Sequence, residues 1–261
     1  MSPALEGKVA LVTGSTRGLG FAIAAAYVAE GATVVVTGRN EQGCRDAIAR
    51  LDPGDRASFV VGDASTADGA RALVDHAIVA YGRIDVLVNN IGGVVGNAMG
   101  PFLDVTTETW ASMFDLNIHS MFHTTQRAVP AMVERGTGRV INMSSVEGKE
   151  GAPGLVAYST TKHAVCGFTK ALAHELGTTG VTVNALCPGL CATEGVLAAE
   201  AHAASVGMSL DELLSSFTGK TAVKRLIRPA EVAALAVFLA GDAASAITGA
   251  TLSVDGGQSA Y

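Results

Sequence analysis

Tyr158 and Lys162 lie four positions apart in the run Tyr-Ser-Thr-Thr-Lys. On a helix that spacing puts both side chains on one face, a turn apart. A free phenol, with a pKa of about 10, is a reluctant acid–base at neutral pH. A fixed ammonium nearby favours the phenolate and lowers that value. The pairing is common by chance and carries little weight alone. Ser144 and Ser145 close the run Val140-Ile-Asn-Met-Ser-Ser. They put hydroxyls at the carboxyl end of a strand, the rim where open α/β sheets take their ligands. Asn117 sits in the middle of a nearly uncharged helical stretch, where a buried amide must find partners.

A second group of residues suits an anion. The strand-like Lys8–Thr13 runs into Gly14-Ser-Thr-Arg17-Gly18-Leu19-Gly20 and then an apolar helical stretch. Glycines there permit a tight turn, close approach of a pyrophosphate and tight helix–strand packing, and the helix N-terminus supplies free N–H groups. The spacing Gly-x-x-x-Gly-x-Gly differs from the commoner Gly-x-Gly-x-x-Gly. Its place as the first strand-to-helix turn makes it a strong dinucleotide signal. The second strand ends Thr37-Gly-Arg39-Asn40, with no acid before Glu41 to hold ribose hydroxyls. Arg39 and Arg17 suit a 2′-phosphate instead, which predicts NADP in preference to NAD.

The elements that must position these residues alternate along the whole chain. Strand candidates are Lys8–Thr13, Thr33–Thr37, Ser58–Gly62, Ile84–Asn89, Arg139–Met143, Val181–Leu186 and Ala250–Val254. Helical stretches between them are Leu19–Glu30, Glu41–Leu51, Ala67–Tyr81, Thr107–Arg135, Leu155–Leu176 and Pro229–Leu239. Nearly continuous apolar strands alternating with helices imply a doubly wound parallel sheet with helices on both faces, an α/β Rossmann-type fold. No linker or repeat divides residues 1–261, which read as one domain. The stretch 190–227 is long for a plain connection and reads as a substrate lid with helices of its own.

Composition narrows the partners. A net charge of −6 repels phosphate backbones, which argues against nucleic acid. No basic segment suits a membrane surface, and the longest apolar helix-like run, Val232–Ala240, is too short to span a bilayer. The N-terminus has no basic-then-apolar leader pattern, so the expected compartment is the cytoplasm. Cys44, Cys166, Cys187 and Cys191 lack paired spacing and read as small apolar residues. His119 and His123 share a helix face without a third ligand in view, so no metal is expected. Between Ala111 and Gln126 the only formal charge is Asp115, and between Leu155 and Thr169 only Lys162. Helices uncharged all round are covered on both sides, which predicts a homo-oligomer, a tetramer or dimer.

Taken together, Thr13-Gly14-x-x-x-Gly18-x-Gly20, Asn89-Asn90-Ile91-Gly92, Asn117, Ser145, Tyr158-x-x-x-Lys162 and Pro188-Gly189 resemble the short-chain dehydrogenases/reductases. The likeness runs from about Leu5 to Gly257 and implies a seven-stranded sheet in the order 3-2-1-4-5-6-7. It implies Tyr158 as the general acid–base, with Lys162 lowering its pKa and binding the nicotinamide ribose. It implies Ser145 polarising a substrate carbonyl and Asn117 holding a water in a proton relay. Pro188, Gly189 and Thr193 would seat the carboxamide, Asp63 and Ala64 the adenine, and Asn90 and Gly92 the adenosine ribose. Ile91 departs from the family's usual alanine.

The implied activity is hydride transfer between NADP(H) and a ketone or secondary alcohol, a small-molecule substrate. The alternative within that class is a 3-oxoacyl-[acyl-carrier-protein] reductase. The alternative of another class is a non-catalytic dinucleotide-binding scaffold, which would be expected to have lost part of the Asn–Ser–Tyr–Lys set. The chain also resembles 3-hydroxybutyrate dehydrogenases, which hold a substrate carboxylate with a histidine and a lysine. Glu147 and Leu155 stand at those two positions, so small 3-oxo acids are expected to be poor substrates. Lid residues Val196, Leu197, Met208, Leu210, Leu213, Leu214 and Phe217 suit an apolar substrate or plain packing.

Overall fold

Period-two alternation sorts each central strand between two cores. Ala10, Val12, Val34, Val36, Val86 and Val88 pack on one face of the sheet, Leu11, Val35 and Leu87 on the other. The computed structural model describes residues 3–205 and 207–259. Strands β1 (Val9–Val12), β2 (Thr33–Gly38), β3 (Ala57–Val61), β4 (Val86–Asn89), β5 (Gly138–Met143), β6 (Val181–Pro188) and β7 (Thr251–Val254) form one sheet. Its order is β3-β2-β1-β4-β5-β6-β7 and every neighbouring pair is parallel, as expected. The order reverses between β1 and β4, and a crevice opens there at the carboxyl ends of the strands.

Helices α1 (Gly18–Ala29) and α2 (Glu41–Leu51) cover the first face, α3 (Ala67–Tyr81) the second. Asn40 caps α2 by accepting from the Gly43 N–H at 2.9 Å, and Thr66 caps α3 through Gly69 at 3.1 Å. The expected single helix Thr107–Arg135 is instead α4 (Thr107–Phe114), a π-helical turn over Asp115–His119, and α5 (Ser120–Glu134). Ser120 Oγ donates back to the Leu116 carbonyl at 2.6 Å, a competing bond that loosens the ladder where Asn117 must turn inward. Then follow α6 (Val156–Glu175), α7 (Glu194–Leu197), α8 (Glu200–Ser205), α9 (Leu210–Thr218) and α10 (Pro229–Ala240).

A buried polar seam fixes α5 and α6 against the sheet. Asn89 Nδ2 donates to Thr125 Oγ1 and to Asn142 Oδ1, both at 2.8 Å, and Thr124 Oγ1 donates to Asn89 Oδ1 at 2.6 Å. Asn142 Nδ2 completes it on Thr169 Oγ1 at 2.9 Å. A fully paired interior network of this kind permits one register only. The predicted lid carries three short helices and rejoins the domain through a parallel bridge between Cys191 and Ile227; its residue 206 lies outside the described residues. The four cysteines are buried and free. The chain's own loops leave Phe122, Val156 and Gly167 exposed on the outer faces of α5 and α6. Among the described residues no helix is long and apolar enough to cross a membrane.

Candidate active site

The turn after β1 is built for close approach. Gly14 and Gly18 hold φ of +61° and +58°, in the left-handed region. A Cβ on Gly20 would stand 2.4 Å from the Gly14 carbonyl oxygen and 2.5 Å from Asn90 Nδ2, so any side chain there breaks the packing. The Asn90 amide donates to the Thr13 and Gly14 carbonyls, each at 3.0 Å, and braces the turn from the β4 side. Leu19 packs into the core beneath α1. The Gly18 N–H, at the start of a helix with no side-chain cap, donates to Glu194 Oε2 at 3.1 Å. That carboxylate, reaching in from the segment 190–227, is a stand-in anion on the loop. Burial opposes its ionisation, yet backbone N–H groups and Arg50 hold its pKa below the ordinary value.

Beside this turn lies a cleft of about 370 Å³ whose lining includes Arg17, Arg39, Asp63, Asn90 and Gly92. The Asp63 carboxyl is held below its ordinary range by the Ser65 N–H and hydroxyl, against burial, with Arg39 adding to the effect. Ala64 is buried next to it. Pro188 ends β6, Gly189 follows at the rim, and Thr193 faces Gly18 across the loop. A glycine turn, two arginines and a carboxylate already seated on the loop N–H fit a dinucleotide.

The second half of the site adjoins the cleft. A cavity of about 230 Å³ is lined by Ser145, Glu147, Tyr158, Met99, Gly189 and Phe217, among others. Ser145 lines this cavity and its hydroxyl bonds with Tyr158, whereas Ser144 Oγ donates to the Lys162 carbonyl at 2.9 Å and faces Cys166. That separates the two neighbouring serines. The Lys162 Nζ lies 5.6 Å from the centre of the Tyr158 ring and donates to the Met143 carbonyl at 2.9 Å. Burial lowers its pKa to about 8, opposed weakly by Cys166 and Cys187.

Tyr158 departs from the expectation of a lowered pKa. Burial moves the phenol upward, the Ser145 hydroxyl pulls it back, and Glu147 and Cys191 push it further up. Desolvation is the largest of these influences, and the Lys162 ammonium, 5.6 Å from the ring centre, is engaged with the Met143 carbonyl. Asn117 is pinned on both sides: its Oδ1 accepts from the Gly93 N–H at 2.9 Å, while Nδ2 donates to the Gly93 and Met113 carbonyls at 2.9 and 3.0 Å. A Cβ on Gly92 would fall 2.8 Å from both Asn117 Oδ1 and Lys162 Nζ, so those two polar groups converge across a glycine.

The fold thus brings Ser145 and Tyr158 to one wall, with Asn117 and Lys162 buried behind it around Gly92, and Arg17, Arg39 and Asp63 to the adjoining cleft. Three residues went unnoticed in the sequence. Glu194 and Gln258 carried no motif, and Met99 lies in an irregular loop without periodicity. Of the lid's apolar side chains Phe217 lines the cavity, while Leu197 and Met208 are exposed. No cluster of three His, Cys, Asp or Glu among the described residues could hold a metal.

Comparison with known proteins agrees with this geometry. The family model described as short chain dehydrogenase matches residues 8–203. A putative ketoacyl reductase of Streptomyces coelicolor is 38% identical over 260 residues, covering 98% of each chain. A D-beta-hydroxybutyrate dehydrogenase of Cupriavidus necator is 37% identical, covering 97% of this chain and 98% of that one. A crystal structure of a variant actinorhodin polyketide ketoreductase with NADPH superposes with a TM-score of 0.92 at 37% identity over all of both chains. The chain belongs to the short-chain dehydrogenase/reductase family of oxidoreductases.

Proposed function

We propose that the protein moves a hydride between NADP(H) and a ketone or secondary alcohol, with Tyr158 as acid–base. One observation carries this reading: Tyr158 and Ser145 line a cavity that adjoins the Arg17–Arg39 cleft, with the buried Lys162 Nζ 5.6 Å from the Tyr158 ring centre. Bound nicotinamide supplies or takes the hydride. In reduction the Ser145 hydroxyl donates to the substrate carbonyl oxygen, and Tyr158 delivers the proton that this oxygen gains. Lys162 steadies the phenolate left behind, and Asn117, holding Gly93, shapes the floor between them. Arg17 and Arg39 take the 2′-phosphate. Ala64, Asp63, Pro188, Gly189 and Thr193 frame the rest of the dinucleotide. A panel of neutral ketones and secondary alcohols, assayed with each of the two nicotinamide cofactors, tests the proposal. Absence of NADPH-dependent turnover throughout the panel sinks it.

Glu194 adds a measurable detail. Its carboxylate occupies the loop N–H on which a pyrophosphate would draw, so the cofactor must displace or crowd it. Glu194→Gln is expected to tighten NADPH binding about five-fold, matching about 1 kcal/mol between like charges a few ångströms apart in a solvated cleft. Fluorescence titration of NADPH measures this, and unchanged or weaker binding counts against it.

The outer faces of α5 up to Gln126 and of α6 up to Thr169, where exposed side chains carry no formal charge, are the proposed subunit interface. Phe122 and Val156 are 38% and 40% exposed in the single chain, although no charge lies beside Val156 on its helix until Lys162. Sedimentation is expected to report a dimer or tetramer, and charged replacements at Phe122 and Val156 to dissociate it.

A further inference from the structure

Glu147 follows Ser145 by two residues and lies in the middle of a short 3-10 turn, its N–H donating to Ser145 Oγ at 3.2 Å. The residue is only 9% exposed, and its side chain borders the catalytic cavity. One carboxylate oxygen accepts from Ser159 Oγ at 2.9 Å. The other has no hydrogen bond, and Glu147 has no ion pair, among the described residues. That oxygen is also absent from the fully enclosed unpaired atoms, so it keeps some exposure on a side chain that lines the cavity.

Burying a carboxylate without a cation costs free energy that stitching Glu147 to Ser159 does not require. A glutamine would accept the same serine proton without the charge. Apart from Ser145, Tyr158 and Gln258, the remaining side chains of the wall are apolar, from Val94, Met99, Leu155, Leu190 and Phe217 among others. A carboxylate accepts hydrogen bonds and donates none. The free oxygen is therefore suited to a substrate donor, and it repels a substrate anion.

We infer that Glu147 is a specificity residue selecting ketones that carry a hydroxyl or ammonium group beyond the carbonyl, with an apolar body between. This rests on the ketone-reducing reading above and names its substrate class. Glu147 also opposes formation of the Tyr158 phenolate, and a donor bound to its carboxylate offsets that field.

The test is a series of straight-chain 2-alkanones of several lengths ending in methyl, hydroxyl, ammonium or carboxylate, assayed with NADPH. At the best length, the hydroxyl and ammonium members are expected to exceed the methyl member in kcat/KM by about ten-fold, as for a hydrogen bond to a charged group. The carboxylate member, like acetoacetate, is expected to be the poorest. Glu147→Gln keeps the Ser159 acceptor and should erase the ammonium preference selectively; Glu147→Leu should erase both. Calorimetric binding of the same ketones to the protein loaded with NADP⁺ should show the same ranking without turnover. A methyl member equal to the others, or a ranking that survives both substitutions, overturns the inference while leaving ketone reduction standing. Reduction of no member at all removes the ketone reading, and this inference with it.

Discussion

Replacing Tyr158 by Phe is expected to lower kcat by about 10²- to 10⁴-fold, the usual share of a positioned acid–base. The change removes one hydroxyl and leaves the ring under Lys162, so NADPH should bind the variant as it binds the parent. Stopped-flow turnover with a cofactor titration separates the two quantities. The pH dependence follows from the same side chain. Burial raises the Tyr158 phenol above its ordinary value, so it stays protonated through the neutral range. Ketone reduction, which needs the proton, should be flat there and fall on the alkaline side. Alcohol oxidation, which needs the phenolate, should rise with pH over the same range. Lys162, with a pKa of about 8, loses its charge inside this window and should blunt the rise. Retained activity in Tyr158→Phe would remove Tyr158 from the chemistry.

The second large effect concerns cofactor choice. Arg39→Ala is expected to weaken NADPH, read as kcat/KM, by about 10- to 100-fold, the loss of charge-assisted hydrogen bonds of about 1.5–3 kcal/mol. NADH should change little, since it lacks the phosphate that Arg39 and Arg17 would hold. Arg17→Ala should do the same from the other side of the cleft, and the double variant should lose NADPH preference altogether. Assays of each variant with both cofactors decide the matter; equal losses with NADPH and NADH would mean that the arginines shape the loop and do not read the phosphate.

Much of the fold was legible because local chemistry and global architecture agree. The strands are apolar on both faces, so their positions emerge from composition alone, to within a residue or so at β2 and β3. The glycine turn is legible for a similar reason: positive φ at Gly14 and Gly18, and the tight packing at Gly20, each admit almost no other residue. The break between α4 and α5 was not legible. Periodicity runs through it, and only the side-chain bonds of Asn117 and Ser120 to neighbouring backbone disclose the π turn.

The amino-acid order by itself therefore determined the sheet and the glycine turn, since each depends on residue type and short spacing, and it singled out Asn117, Ser145, Tyr158 and Lys162 as candidates through their resemblance to a family. Tertiary structure alone decided that Ser144 is turned to the Lys162 carbonyl and Cys166, that burial raises the Tyr158 phenol, and that Glu194 reaches across to Gly18 from 176 residues away. Those outcomes turn on desolvation and on distances between groups remote in the chain. Neither quantity exists until the parts are packed together.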